Sequence, residues 1–428
     1  MRSFSNRLTA ATATLSLAGV LALAGCSGSG DESPSTSPSG SAAEASGSAG
    51  AEPNSEASGT PTPSEAPKDV KPAAAPKAPT EPLDSKVQTE VWEDNAQVSH
   101  LFFHSLIVDA DTAFKDRESG KGYADYMVTV DEFNKMLKQI YKKGYVLVSP
   151  RSLGQVDKSG KFVTNELKVP RGKKPLVLSI DDVSYYEYMK GDGFATNLKV
   201  TDDGVKNTYT DPKTKKTSVG DYDVMPIVDE FVKKHPDFAP YGNKGVIALT
   251  GYNGVLGYRT SPSVYGPKSD DPNKNIKQDT ATATTVANAL KDDGWEFASH
   301  SWGHINFTKS SPERIKQDTQ RWKKDVQPIV GPTNLLIYPF GADISGLPPY
   351  SGAKYNYLKH AGFDFYFNVD GSTPAWGQLG DGYLREARFN VDGISLKAAL
   401  DGREAMKSFF DPKSVLDPKR PKSISGTS

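Results

Sequence analysis

The sequence predicts a mostly parallel α/β fold, a closed or distorted barrel, and three observations carry that expectation. From about residue 83 onward, short apolar runs of strand length alternate with segments of helical periodicity. Polar clusters follow directly on several of these runs, at the carboxyl ends of parallel strands where ligands gather. Residues 27–82 contain no aromatic side chain, so the folded part is expected to be confined to 83–428.

The chain starts with Arg2 and Arg7, an apolar run from Leu15 to Ala24, and then Leu23-Ala24-Gly25-Cys26. A basic start, a short apolar core and small residues before a cut form an export signal, here over 1–25. The run is shorter than the roughly 20 residues that span a membrane. Ending in Leu-Ala-Gly-Cys, it resembles a bacterial lipoprotein signal, which implies lipidation of Cys26 and a membrane partner reached through that anchor. Residues 26–82, rich in Ser, Gly, Ala, Pro, Glu and Thr, are expected to form a disordered tether holding the folded part off the membrane. The chain has 51 basic and 52 acidic residues, a balance that argues against nucleic-acid binding. A single cysteine excludes an internal disulfide framework and a cysteine zinc cage. A monomer is the default expectation.

Leu101 to Val108 reads as a buried strand. Thr129 and Glu132 form a capping-box pattern, and Val130, Phe133, Met136, Leu137, Ile140 and Tyr141 recur at helical spacing up to Gly144. Tyr145 to Val148 and Pro175 to Ile180 are strands, the second running into Asp181-Asp182. Helix is expected over Asp221 to Lys234 and Ala281 to Asp293, strand over Gly245 to Leu249 and Trp295 to Ala298. Ser311 caps a helix with Pro312 in its first position, and Leu335 to Tyr338 is the next strand. Lys354 to Ala361 and Phe363 to Phe367 repeat the helix–strand step. Two polar stretches, Lys190 to Gly220 and Tyr258 to Gln278, interrupt the alternation and are expected to be rims or mobile loops.

Three clusters at strand ends bear chemistry. Asp181 and Asp182, leaving an apolar strand side by side, point in different directions, so one can hold a metal while the other acts as a base. His300-Ser301-Trp302-Gly303-His304 places two imidazoles four residues apart, which converge on one ion if the segment turns like a helix. Tyr338-Pro339-Phe340-Gly341 is a turn after a strand. Taken singly, each is weak: paired acids are commonly solvated, paired histidines incidental, and such a turn carries no chemistry.

Together and in this order they resemble the polysaccharide deacetylases of carbohydrate esterase family four. That family's pattern is Thr-Phe-Asp-Asp, then His-Ser/Thr-x-x-His, then Pro-Tyr/Phe-Gly; here it reads Ser179-Ile180-Asp181-Asp182, His300 to His304 and Pro339-Phe340-Gly341. The likeness extends to His100-Leu101-Phe102-Phe103-His104-Ser105, Val130-Asp131-Glu132-Phe133 and Gly144-Tyr145, and covers about Gln97 to Asp392. It implies a distorted barrel of the polysaccharide deacetylase type. Its metal ligands would be Asp182, His300 and His304, with Asp181 as general base and Pro339, Phe340 and Gly341 lining the acetyl and oxyanion pocket. One divalent ion is implied, zinc first, with cobalt, nickel or manganese as alternatives. The partner would be an acetylated polysaccharide.

Four features depart from the family pattern. Val183 replaces a usual glycine, and Ser184-Tyr185-Tyr186 follow it. No arginine lies between Asn334 and Tyr338, where one usually orients the base. The late motif carrying a histidine acid reads Leu384 to Asp392 without histidine. Some members of the family carry a histidine on the entry strand instead, and that resemblance implies His104 as candidate acid, while Arg388 is a candidate partner of Asp181 or of a sugar hydroxyl, or a surface ion pair. Lys190 to Gly220 is longer than typical. Trp302, Tyr185, Tyr186 and Trp376 are candidates for stacking on sugar rings, or for the core. N-deacetylation of a wall or matrix polymer is the expected activity; O-deacetylation and a catalytically silent wall-binding lipoprotein are the alternatives.

Overall fold

The structure, a computed structural model, describes residues 77–79, 81–115 and 118–422. The expected leader over 1–25, Cys26 and nearly all of the 26–82 tether lie outside the described residues. Among the described residues no helix is long and apolar enough to cross a membrane.

Seven parallel strands close into a barrel: β1 (Ser99–Phe103), β2 (Lys174–Ile180), β3 (Gly245–Leu249), β4 (Trp295–Ser299), β5 (Leu335–Ile337), β6 (Phe365–Val369) and β7 (Tyr383–Asn390). Each pairs with its successor, and β7 returns to β1 through Phe389↔Leu101 and Asn390↔Phe102. The barrel is distorted at thin seams, of which the two-pair closure of β7 on β1 is one. β4 meets β5 only at Ser299↔Leu336, and β2 meets β3 only at Val246↔Ser179 and Ile247↔Ile180. A short strand, Tyr145–Leu147, pairs with the first half of β2 on the edge that meets β3 further along.

Alternation along the strands separates two cores. Leu176, Leu178 and Ile180 of β2 point outward into a cluster shared with the helices. Val177, Val246, Ala248, Ala298, Leu335, Ile337, Phe365, Phe367 and Leu384 point inward and fill the barrel axis. The inward positions turn polar toward the carboxyl end, with His100, Ser179, Glu386 and Arg388 all buried.

Among the helices of the described residues are α1 (Val130–Lys142), α2 (Val224–Lys234), α3 (Ile276–Asp292), α4 (Pro312–Asp325), α5 (Gly352–His360) and α6 (Gly393–Leu400). α1 shows why such segments fold as they do. Thr129 and Glu132 form the expected capping box, and Phe133, Met136, Leu137 and Ile140 bury one face. α3 starts five residues before the expected Ala281, after Asn275, which makes no side-chain cap bond and so left no start signal in the sequence.

The stretch 190–220 is not a loop. It contains an antiparallel sheet of Asn197–Thr201, Gly204–Thr210 and Thr217–Gly220. Asp202 and Asp203 form the first turn, and Gly204 follows at φ +104. Leu198, Val205, Asn207 and Tyr209 give this sheet a buried face. The first strand is shorter than expected, ending at Phe103, so His104 lies just past it.

Candidate active site

Because the barrel strands run in parallel, the residues after β1, β2, β4 and β5 emerge at one mouth. Asp181 continues the inward alternation of β2, and its backbone N–H donates to the Phe103 carbonyl at 2.9 Å. Asp182 has φ +61, which turns the chain and sends the adjacent carboxylates apart. Asp181 faces the barrel axis; Asp182 Oδ2 lies 3.7 Å from His304 Nε2.

His300 is buried, and its Nδ1 lies 2.9 Å from the Ile337 carbonyl oxygen. A carbonyl only accepts, so Nδ1 carries the proton and the Nε2 lone pair is free for a ligand. The 300–304 segment does not turn as a helix. Ser301 and His304 take φ +58 and +52, and the Asp318 carboxylate of α4 accepts the N–H groups of Trp302 and Gly303 at 2.7 and 2.8 Å. The imidazoles converge through this clamped bend. Burial pushes the His304 pKa down to about 4, so the ring is neutral and able to ligate at neutral pH.

One ligand atom from each of Asp182, His300 and His304 lies within 4.8 Å of the others. One carboxylate and two imidazoles suit a transition-metal ion and leave positions for water and substrate. The donor set therefore fits a divalent ion.

The turn after β5 completes the mouth. Pro339 is buried, whereas Phe340 is 67% exposed with its ring 4.4 Å from that of His304. Gly341 sits at φ +64 against Val369, where a Cβ would approach within 2.7 Å. Phe340 also holds a positive φ, as do Asp182, Tyr185, Ser301 and His304. Backbone strain in non-glycine residues thus gathers around this one site, where the surrounding packing must hold it.

Beneath the mouth, the buried Arg388 guanidinium donates to both oxygens of Asp181, at 2.7 and 2.9 Å. Burial pushes the Asp181 pKa up, but the charge of Arg388 and its hydrogen bonds outweigh it and hold the carboxyl well below its usual range. Arg388 also donates to Ser179 Oγ at 3.2 Å. That hydroxyl lies 2.9 Å from His100 Nε2, whose Nδ1 lies 2.9 Å from Glu386. Burial raises the Glu386 pKa to about 8 and holds His100 well below its ordinary value, so the two meet as neutral groups. His104 is half-buried just past the end of β1, within electrostatic reach of Asp181, Asp182 and His304.

Trp302 does not face a groove. Its indole N–H donates to Asp325 at 3.0 Å and Arg321 covers its ring at 3.5 Å, so it packs as core. Tyr185 and Tyr186 are also buried, and Trp376 is half-buried. The open aromatic faces at this end belong to Phe340 and to Tyr188, which is 65% exposed. Sequence reasoning missed Asp318, Ser179, His100 and Glu386. The last three had a signal: polar residues at inward parity in apolar strands, each two positions from another (Ser179–Asp181, Glu386–Arg388) or four (His100–His104).

Residues 273–366, which include both histidines, match the family model described as polysaccharide deacetylase. A solved structure, the Streptococcus pyogenes deacetylase PplD in complex with acetate, is similar at 14% identity and a TM-score of 0.37, covering 71% of this chain and 97% of that one. No curated protein matches the chain.

Proposed function

We propose, for a chain that belongs to the polysaccharide deacetylase family, a metal-dependent hydrolase that removes N-acetyl groups from an amino-sugar polysaccharide of a cell wall or matrix. The observation that carries this reading is the convergence of Asp182, His300 and His304 beside an Asp181 gripped by Arg388. A divalent ion held by those three ligands, zinc first among the candidates, would polarise the acetamide carbonyl and make water acidic enough to attack it.

The chain's own residues supply the rest. Asp181, kept ionised by Arg388, takes the proton of the attacking water. His104, at the end of the neighbouring strand β1, gives a proton to the departing amine nitrogen as the C–N bond breaks. The products are acetate and a free amine on the sugar. The turn around Phe340 offers a backbone N–H to the developing oxyanion, with Pro339 and Gly341 shaping the acetyl pocket. Phe340 and Tyr188 present open ring faces on which sugar rings stack. A missing arginine before the Pro-Phe-Gly turn and a missing late histidine favour the silent wall-binding alternative; the grip of Arg388 on Asp181 from another strand supports an active enzyme. Lipidation of Cys26 would hold the enzyme at the outer membrane face, within reach of the wall.

The test is acetate release from peptidoglycan, chitin oligomers and acetylated xylan, with and without a chelator. Release from an N-acetylated polymer that stops with chelator and returns with zinc is expected. Release from no polymer, or from xylan alone, overturns the reading.

A further inference from the structure

The altered rim after the aspartate pair has a place in the metal centre. Tyr186 Oη lies 2.5 Å from Asp182 Oδ1 and 2.9 Å from Thr250 Oγ1, and Thr250 Oγ1 lies 3.0 Å from Ser184 Oγ. An ionised carboxylate only accepts, so the tyrosine proton points at Asp182. Thr250 must then donate to Tyr186, and Ser184 to Thr250. The proton order runs one way, from Ser184 through Thr250 and Tyr186 to Asp182, and each bond polarises the next.

The tyrosine is fixed in that position. Its ring stacks between Tyr188 and Tyr252, at 5.5 and 5.3 Å with interplanar angles of 13° and 17°. The backbone leading to it is held from the second polar stretch, where Arg259 donates to the carbonyls of Ser184, Tyr185 and Asn253. From the first polar stretch, Asn207 Nδ2 donates to Tyr185 Oη at 2.9 Å. Both segments that interrupt the barrel pattern thus brace the same short rim.

We propose that Tyr186 is a positioning residue of the metal centre, its phenol occupying Oδ1 of Asp182 so that Oδ2, on the His304 side, is the oxygen left to bind the ion. This rests on the reading of Asp182, His300 and His304 as metal ligands. A carboxylate with one oxygen committed in this way binds through the other alone and is held against rotation. Partners of metal ligands commonly change affinity by about 10–100-fold when removed.

The test measures zinc affinity of the full chain by competition with a chromogenic chelator. Tyr186→Phe keeps the ring stack and deletes only the hydroxyl. It is expected to weaken zinc binding by about 10–100-fold while the melting temperature of the metal-free protein stays unchanged. Thr250→Val, which removes the donor to Tyr186, is expected to weaken binding less and in the same direction. Zinc affinity of Tyr186→Phe equal to wild type overturns the inference and leaves the metal reading standing. If Tyr186→Phe does not fold, unchanged affinity in Thr250→Val overturns it. A wild-type chain that binds no zinc overturns both.

Discussion

Arg388 and Asp181 stand 207 positions apart in the chain, yet meet as a two-pronged, fully buried ion pair on the barrel axis. The fork fixes the carboxylate plane and its charge together, so the pair can be tested for stability and for catalysis separately.

Arg388→Met strands a buried carboxylate and is expected to lower unfolding free energy by about 3–5 kcal/mol. Adding Asp181→Asn should recover most of that loss, because the unpaired charge is gone, while turnover stays about 10²–10⁴-fold down. Chemical denaturation of both variants checks this. A double variant no more stable than Arg388→Met would contradict it.

Glu386 gives the stability a pH dependence of known sign. Its pKa of about 8 in the fold exceeds its ordinary 4.5, so between those values the folded state holds a proton that the unfolded chain has lost. That stabilisation is complete below the lower value and falls as pH rises through the higher one, by up to about 1.4 kcal/mol per pH unit. Glu386→Gln should therefore flatten the stability profile between pH 5 and 8. Parallel profiles for wild type and variant would refute the assignment.

His104→Ala is expected to lower kcat by about 10²–10⁴-fold with metal content unchanged. Metal analysis alongside steady-state kinetics distinguishes loss of an acid from loss of a ligand. An unaltered kcat removes His104 from the mechanism.

Tyr188→Ala removes an open ring beside the metal ligands and should raise KM for acetylated oligosaccharides about fivefold, at roughly 1 kcal/mol for one stacking contact. The kcat should change less than KM, because the Tyr252 ring still holds Tyr186 in place. A kcat loss at constant KM would place Tyr188 in the chemistry instead of in substrate binding.

The local parts of this site were legible in the sequence, because they lie within a few residues of one strand end: Asp181-Asp182, His300 to His304, and Pro339 to Gly341. Partners brought in across the barrel were not. Arg388 could be named only as a candidate, since its pairing depends on β7 closing against β1, a contact that no local pattern encodes. Asp318 reaches the histidine bend from α4, and Tyr186 reaches Asp182 only because the chain turns back at two positive-φ residues. Trp302 stayed open between groove and core for a related reason: Arg321 and Asp325, which cover it, come from a helix about 20 residues further along the chain. The sheet over 197–220 had a readable alternation at Val205, Asn207 and Tyr209, masked by polar composition.

The most direct measurement is metal stoichiometry, by elemental analysis, after loading wild type, Asp181→Asn, and a variant combining Asp182→Asn, His300→Ala and His304→Ala with zinc. Convergence of the three ligands predicts about one ion per chain in wild type and in Asp181→Asn, and none in the combined variant. A wild type that takes up no zinc, or a combined variant that keeps a full equivalent, would contradict it.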